Sequence, residues 1–402
     1  MTVIALNTLT QPFYAPAFEV EVAGAKKTLA TLKGPTTMLG SGVVKDVVEV
    51  TYHDSMDKVD SFVLVFNNWD GDRLQPMFLG SKEPSKLFPL IQPGTQLVLR
   101  MGYQGLKPDM RVMTTGVITT LEADFPEAGA PRLTVRGLNV LDRFRGKQFT
   151  YSWPADPKKP IKDSEIAEDL SGPPDHPPGR PGVGITVRAD AAAKSRETPQ
   201  PCVLMNNQYP IVFLMQRARR LGYDVFLDRD KTTGEQFLYF GPSTRVRDRT
   251  YKLEWGKSLV SFKPTISLAR QVRKVTVLGW DRKAKQQIKG EATLEDIKDL
   301  NENMHPFIDV IGREEVVTDV PVFDAAQAKR VALDYLHRQV QDLAEAAGVV
   351  VGLPDLRAGR TVEIAGLGDL LNGRWFITET THTINDSGYR TTFSARREEH
   401  RS

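Results

Sequence analysis

Short runs that alternate apolar and polar residues dominate the first third of the chain. Val48, Val50 and Tyr52 alternate with Glu49 and Thr51, the period of two expected of a half-buried strand. Phe62-Val63-Leu64-Val65-Phe66 is apolar at every position, which predicts a strand covered on both faces. The turn formers Asn67-Asn68-Trp69-Asp70-Gly71-Asp72 stop it. Further strands are predicted at 95–101, 111–121 and 132–137. Pro93-Gly94, Lys107-Pro108-Asp109 and Glu127-Ala128-Gly129 punctuate them. Residues 1–16, with Pro12 and Pro16, read as an arm or an edge strand. Many short strands with frequent turns predict a barrel or sandwich over residues 1–150.

The pattern changes after residue 150. Residues 153–160 and 172–182 are rich in proline, glycine and charge and read as surface loops. Between them, Asp163-Ser164 is placed to cap a short helix whose Ile166 and Leu170 share a face. A second helix is predicted from Pro210. Ile211, Leu214, Met215, Ala218 and Leu221 form its stripe, and Gly222 is its stop. Short strands at 224–227 and 236–240 complete an α+β block over residues 151–250.

Strands return in residues 251–402, at 258–268, 271–280, 360–366 and 374–396. Residues 291–303 are charged and compatible with a helix. The longest helix is predicted over 325–347, opened by Asp324 and Gln327 as a variant capping box. Ala328, Val331, Ala332, Tyr335, Leu336, Val340, Leu343 and Ala347 face one way, and Gly348 supplies a left-handed stop.

The two β blocks echo each other. Pro93-Gly94-Thr95-Gln96-Leu97-Val98-Leu99 aligns with Ala358-Gly359-Arg360-Thr361-Val362-Glu363-Ile364. Thr115-Gly116-Val117-Ile118-Thr119 then matches the stretch from Asn372 to Thr378, and Arg132-Leu133-Thr134-Val135-Arg136 matches Arg390-Thr391-Thr392-Phe393-Ser394. The order is conserved within the chain, while the spacings differ by several residues. One chain is therefore expected to carry two similar small barrels. The expected fold class is mainly β with an α+β insertion: two related β-barrels and an α/β middle domain, assembling as a ring. Closed cyclic assembly is the usual outcome for homo-oligomers. A trimer of a two-barrel chain presents six similar units around one axis, and such a ring matches a six-fold partner on one side and a three-fold partner on the other.

Composition narrows the chemistry. The 402 residues suffice for two or three domains at about 150 residues each. A net charge of +3 is too small to argue for a nucleic-acid or membrane partner. Cys202 is the single cysteine, so no intramolecular disulfide forms and no structural zinc site can be built on thiolates alone. No Lys/Arg-led apolar leader and no apolar run of membrane-spanning length is visible.

The candidate catalytic groups read more simply as structure. His53, beside Asp54 and Asp57, reads as a solvated turn between strands, and His382 as a hydrogen-bonded strand residue. Cys202 has no histidine nearby in sequence to activate it. Asp228 and Asp230 fall in a predicted turn. Gly182-Val183-Gly184 and Gly366-Leu367-Gly368-Asp369 precede strands rather than open helices, so the dinucleotide motif fails on context. Trp255 and Trp280 are expected to pack in a core or cap a barrel, with exposed interface anchors as the alternative. Arg217-Ala218-Arg219-Arg220 reads as a solvated helix face, although together with Arg143-Phe144-Arg145 it also suggests a nucleic-acid groove. Catalytic, cofactor-binding and metal-binding residues are accordingly expected to be none.

Several segments together resemble the phage late-control protein D family. They are Tyr251 to Pro264, with Leu253-Glu254-Trp255-Gly256-Lys257-Ser258-Leu259 at its centre; Gln271 to Asp281; Ala358-Gly359 to His382, closing with Gly388-Tyr389-Arg390-Thr391-Thr392-Phe393; and Leu133-Thr134-Val135-Arg136-Gly137 with Leu141-Asp142-Arg143. Proteins of that family are similar to the T-even baseplate hub and to the hub half of type VI secretion spike proteins. The resemblance spans roughly residues 17–397. It implies a homotrimeric hub with two related barrels per chain and no cofactor, seated between a hexameric tail tube and a trimeric spike. Other baseplate and tape-measure proteins would be further partners, DNA would meet it only in transit, and no membrane would be involved. The expected place is the virion, after assembly in a host cytoplasm. The chain ends just after the second barrel, so a separate spike protein is expected. A hub of a non-phage contractile injection system or of a bacteriocin particle fits the same residues. A glycan-cleaving enzyme would instead need paired acids in a cleft, and a single-strand nucleic-acid binder would show salt-dependent affinity.

Overall fold

The computed structural model describes residues 2–5, 16–22, 27–31, 46–55, 58–103, 110–139, 142, 145–154, 159–200, 203–221, 223–230, 232–242, 249–269, 271–282, 284–297, 312–318, 320, 322, 324–341 and 343–397. Among them the chain is mainly β. The first third contains β1 (Thr2–Ala5), β2 (Pro16–Val22), β3 (Lys27–Thr31), β4 (Val47–Ser55), β5 (Ser61–Asn67), β6 (Trp69–Asp70), β7 (Gln75–Pro76), β8 (Gln96–Tyr103), β9 (Arg111–Asp124) and β10 (Arg132–Asn139). The middle holds β11 (Phe149–Trp153), α1 (Asp163–Asp169), β12 (Val187–Ala189), α2 (Ala191–Arg196), β13 (Val203–Gln208), α3 (Pro210–Arg220), β14 (Tyr223–Arg229) and β15 (Gln236–Pro242). The last third runs through β16 (Arg249–Glu254), β17 (Leu259–Ile266), β18 (Lys274–Asp281), β19 (Gln286–Thr293), β20 (Glu314–Val317), α4 (Ala325–Gln341), β21 (Ala344–Val351), β22 (Thr361–Ala365), β23 (Gly373–Asn385) and β24 (Gly388–Arg397).

One strand order occurs twice. In the first unit the hydrogen-bonded order is β2-β8-β9-β10-β5-β4, and in the second it is β16-β22-β23-β24-β21-β17. Counting strands along the chain within each unit, both read 1-4-5-6-3-2. The units differ in one pairing: β2–β8 is antiparallel and β16–β22 is parallel. β3 extends the first unit beyond β2. β1 lies beyond β16 in parallel register, the edge strand expected of the N-terminal residues.

The correspondence reaches single hydrogen bonds. Gly94 N–H donates to Ile118 O at 2.8 Å, and Gly359 N–H to Ile377 O at 2.9 Å. Ile118 N–H donates to Thr95 O at 2.9 Å, and Ile377 N–H to Arg360 O at 2.8 Å. Both turn glycines have positive φ, +89° and +82°, a backbone region that penalises side chains. Thr119 and Thr378 are the extra residues of matching bulges, and their hydroxyls donate to Arg136 O and Ser394 O. Val48 and Val260 occupy matching bulges in β4 and β17.

Each unit encloses its own apolar core. Tyr52, Phe62, Leu64, Leu97, Leu99, Met101 and Ile118 are fully buried in the first. Leu253, Val350, Val362, Trp375, Ile377 and Phe393 fill the second. The alternation in β4 and β5 puts Val50, Tyr52, Phe62, Leu64 and Phe66 inward. Val63 and Val65 remain only half-buried, so β5 is fully covered on one face rather than both. The middle block builds a third core from α1, α3 and two small sheets, β11-β13 and β12-β15-β14. α4 lies on the sheet β19-β18-β20 and buries Ala328, Ala332 and Leu336 in a fourth.

Three sequence expectations are corrected. The helix over 325–347 ends at Gln341, and Ala344–Val351 is a strand between β17 and β24. The small residues that continued the helical stripe serve a strand here. At Gly348 a Cβ would lie 2.2 Å from the Phe393 ring, so this glycine makes room for an aromatic side chain and does not stop a helix. Residues 286–293 are strand, followed by a short turn of helix at Leu294–Asp296, and 298–303 lie outside the described residues. Asp163 and Ser164 sit inside α1 and do not cap it: both are buried and bonded to other segments. By contrast, Asp324 Oδ1 accepts the Gln327 N–H at 2.7 Å, as the capping box required. Gly222, the expected stop of α3, is outside the described residues.

Gly290 sets the distance between α4 and its sheet. A Cβ there would lie 2.1 Å from Lys329 N, a backbone atom that cannot swing aside. Gly290→Val is expected to destabilise the chain by about 3 kcal/mol or more through overpacking. Chemical denaturation should show a lower midpoint with an unchanged slope.

Candidate functional site at the junction of the two units

The two units form one continuous sheet because β4 pairs with β23. β23 is long enough to serve two neighbours on one edge. Its residues Gly373–Phe376 pair with β22, and its residues Glu379–Ile384 pair with β4. The register sets Thr381 opposite His53 and His382 opposite Tyr52. Without β4, the outer half of β23 would present unpaired N–H and C=O groups, a cost that buried backbone cannot carry.

Side chains lock the junction. His53 Nδ1 lies 2.9 Å from Thr381 Oγ1, and His53 Nε2 lies 2.8 Å from Glu379 Oε1. His53 is therefore a strand residue that bridges two units, not a solvated turn, and its partners are over three hundred residues away in sequence. His382 is fully buried. Its Nε2–H donates to Leu356 O at 2.9 Å, and its Nδ1 lies 3.0 Å from both Tyr389 Oη and Thr391 Oγ1. Burial and the nearby Arg357 charge push its pKa well below the usual histidine value, so the ring stays neutral.

Arg357 is the clamp. It extends from a turn of the second unit into the first. Its Nη2 donates to Val112 O and Met113 O at 3.2 Å each, its Nε donates to Pro354 O at 3.0 Å, and its guanidinium lies 4.7 Å from the centre of the Tyr52 ring. Asp54 Oδ2 lies 3.7 Å from Arg357 Nη1 and accepts the Ala358 N–H at 3.0 Å. Asp60 Oδ2 accepts from Tyr52 Oη at 3.2 Å and from Asn139 Nδ2 at 3.0 Å. Two buried carboxyls thus share one cation. Burial, then the Asp54 charge, pushes Asp60 up to about 8, and burial also raises Asp54, against the opposing pull of Arg357 and the Ala358 N–H, so the pair retains a proton at neutral pH.

A cleft of about 660 Å³ opens beside this cluster. Its wall combines Asp54, Asp60 and Arg357 with Arg111 of β9, Asp355 and Arg360 of the second unit, and Asp228 and Asp230 of the middle block. Arg111 and Asp355 pair at 3.2 Å, and Arg360 reaches Asp228 at 3.4 Å. Asp228 lies in β14 rather than in a turn. Asp230 caps the following turn through Thr232 and Thr233 N–H, and the Arg188 hydrogen bond, the main cause, holds its carboxyl below the usual range.

Other candidates fall elsewhere. Arg217 is buried, not solvated. It pairs with Asp163 at 2.5 Å, and Gln200 bonds both. Trp255 and Trp280 are exposed, 56% and 61%, so neither packs in a core: Trp255 follows β16 at a turn, and Trp280 lies near the end of β18. The side chains of Arg219 and Arg220 and all of Cys202, Arg143 and Phe144 lie outside the described residues. Among the described residues no group of three or more His, Cys, Asp or Glu is arranged to hold a metal. No described helix is long and apolar enough to cross a membrane. The sequence carries no local signal for the Asp54–Asp60–Arg357 cluster: Asp54 stands beside His53, and nothing near it relates it to Arg357.

The fold is similar to those of solved tail proteins. A 43 kDa tail protein of the prophage MuSo2 from Shewanella oneidensis superimposes with a TM-score of 0.62 at 15% identity, covering 95% of this chain and 98% of that one. A tail protein from Neisseria meningitidis gives 0.62 at 12% identity, covering 96% and 97%. An Escherichia coli component of the type VI secretion system, described as structurally similar to T4 bacteriophage tail proteins, gives 0.52 at 10% identity, covering 95% and 79%. The family profile described as the Alg8 N-terminal domain matches residues 196–386. That stretch begins at the last residue of α2 and ends in the turn between β23 and β24, so it coincides with no folding unit. No curated protein matches the chain.

Two outcomes test the cluster. Arg357→Met leaves Asp54 buried without its cation and is expected to cost about 3 kcal/mol of unfolding free energy. The Asp60 carboxyl is protonated in the folded state up to about pH 8 and in the unfolded chain only to about pH 4. Its contribution is therefore present at low pH and is lost as pH rises through that window. His382, neutral when folded, has the opposite slope below about pH 6.5. Stability should fall most clearly between about pH 6.5 and 8, and Asp60→Asn should flatten that fall in denaturation curves.

Proposed function

We propose that the chain is the structural hub of a contractile phage tail baseplate: a homotrimeric ring that adapts a hexameric tail tube to a trimeric spike. The observation that carries this is the duplicated strand order 1-4-5-6-3-2, with both copies joined edge to edge in one sheet. Three such chains offer six similar units about one axis, a symmetry that fits a six-fold tube, while the chain itself remains three-fold toward the spike. The division into a first β unit (1–150), an α+β middle block (151–250) and a second β unit with α4 (251–402) belongs to the same proposal. The hub acts without catalysis or cofactor, in the virion, after assembly in the host cytoplasm. The likeness to prophage tail proteins supports it. The type VI neighbour keeps a hub of a non-phage injection particle as a close variant.

A glycan-cleaving activity has one observation in its favour: two buried carboxyls, Asp60 and Asp54, that retain a proton between them at the wall of a cleft. Against it, Asp60 and Asp54 are already engaged, by Tyr52 and Asn139 and by Arg357 and the Ala358 N–H. Native mass spectrometry with negative-stain imaging, on the chain alone and with co-expressed tube protein, separates the two. A trimer with six lobes, alone or on a tube end, supports the hub. A monomer indifferent to tube protein, with lytic activity that Asp60→Asn abolishes, supports the enzyme.

A further inference from the structure

The junction inside the chain has a counterpart that the chain does not fill. β4 is the second strand of its unit and pairs with the outer half of β23, the fifth strand of the other unit. The equivalent of β4 is β17, and the equivalent of β23 is β9. Both have a free edge among the described residues. β17 pairs along its length only with β21. β9 pairs with β8 through Arg111–Val117, Ile118 bonds the turn before β8 at Gly94 and Thr95, and beyond Ile118 β9 pairs only with β10. The outer half of β9 is mainly exposed, as is β17, and Phe125 and Val260 are 54% and 61% exposed. Two open edges in one chain, each matching one side of a junction that is already built, do not pair within it: β21, β24, β23, β4, β5 and β10 lie between β17 and β9 in the sheet.

We propose that β17 pairs antiparallel with the outer half of β9 in a second copy of this chain, in the register of the β4–β23 junction. It rests on the ring assembly proposed above and names the surface that closes it.

The matching bulges fix the register. Val50, Thr51, Tyr52 and His53 correspond to Phe262, Lys263, Pro264 and Thr265, because each set pairs with equivalent positions of β5 and β21. Thr381, Thr383 and Ile384 correspond to Glu122, Asp124 and Phe125, counted from the matching bulges at Thr378 and Thr119. Transferring the pairs Val50↔Ile384, Thr51↔Thr383 and His53↔Thr381 sets Phe262 opposite Phe125, Lys263 opposite Asp124 and Thr265 opposite Glu122. An aromatic pair, a pair of opposite charges and a hydroxyl facing a carboxylate result, the kinds of cross-strand pair that stabilise sheets. Lys263 and Asp124 are exposed and have no ion-pair partner among the described residues. Ser267 N–H donates to Leu343 O, so the alternating backbone of β17 turns Ile266, Pro264 and Phe262 toward the free edge. Pro264 removes one N–H from that edge. The new junction is thus one donor short of its template, which also disfavours promiscuous pairing with other strands. The same alternation makes Lys263 and Asp124 a non-hydrogen-bonded pair, in which facing Cα atoms are close enough for a disulfide.

Full-length Lys263→Cys and Asp124→Cys, combined in one chain with Cys202→Ser, should give covalent dimers and trimers on mild oxidation. Lys263→Cys with Glu122→Cys, two residues out of register, should give few. Lys263→Glu should raise the dissociation constant of the assembly about tenfold, and Lys263→Glu with Asp124→Lys should restore it. A native trimer that cross-links at neither pair, or ignores both charge changes, overturns the β17–β9 pairing and leaves the hub intact. A chain that remains monomeric with tube protein present overturns both.

Discussion

The fold depends on one requirement, that a strand edge buried inside a protein be paired. β23 extends well past the short β22, and the remainder of its edge has to be completed by another strand. β4 completes it, and in doing so welds two units, formed by residues far apart in the chain, into a single sheet. The hydrogen bonds are backbone to backbone, so they specify the direction and spacing of the partner but little of its sequence. Specificity comes from side chains on the two faces, where Tyr52 meets His382 and His53 meets Thr381 and Glu379.

The buried charges beside this seam carry that specificity at an energetic cost. Arg357 reaches across the seam to the carbonyls of Val112 and Met113 in β9. The carboxyl pair Asp54 and Asp60 neutralises it, and the proton retained between them removes a second negative charge that the low-dielectric site would not accommodate. A hydrophobic cluster would bury the same volume at lower cost. It would not prescribe which turn of the second unit docks against which strand of the first. A chain built from two similar units is exposed to register and partner errors, and directional polar contacts restrict them.

The insertions respect the seam. The middle block enters between the last strand of one unit and the first of the next, and α4 with its small sheet enters between β17 and β21. Both leave the strand order of each unit unchanged. Both carry their own cores, so their stability is largely local. The middle block nonetheless contributes Asp228 and Asp230 to the cleft at the junction, which ties its position to the paired units through Arg360.

Local pattern in the sequence determined much of the β framework. Period-two alternation and turn glycines located β4, β8, β9 and β10, and the similarity of 93–101 to 358–366 disclosed the repeat, because a turn that needs positive φ selects glycine wherever it recurs. Pattern failed where one composition suits two structures. Small residues around 344–348 extend a helical stripe and suit a strand equally well, and the neighbours β17 and β24 decided the outcome. Trp255 and Trp280 read as core by residue type, yet their positions at a turn and near a strand end expose them. His53 and Asp54 read as a turn because their partners, Thr381, Glu379 and Arg357, lie more than three hundred residues away. Hydrophobic periodicity encodes which face of a strand is buried. Which edges meet, and which charges are thereby buried together, depends on backbone groups that every residue shares, so only the tertiary structure decides them.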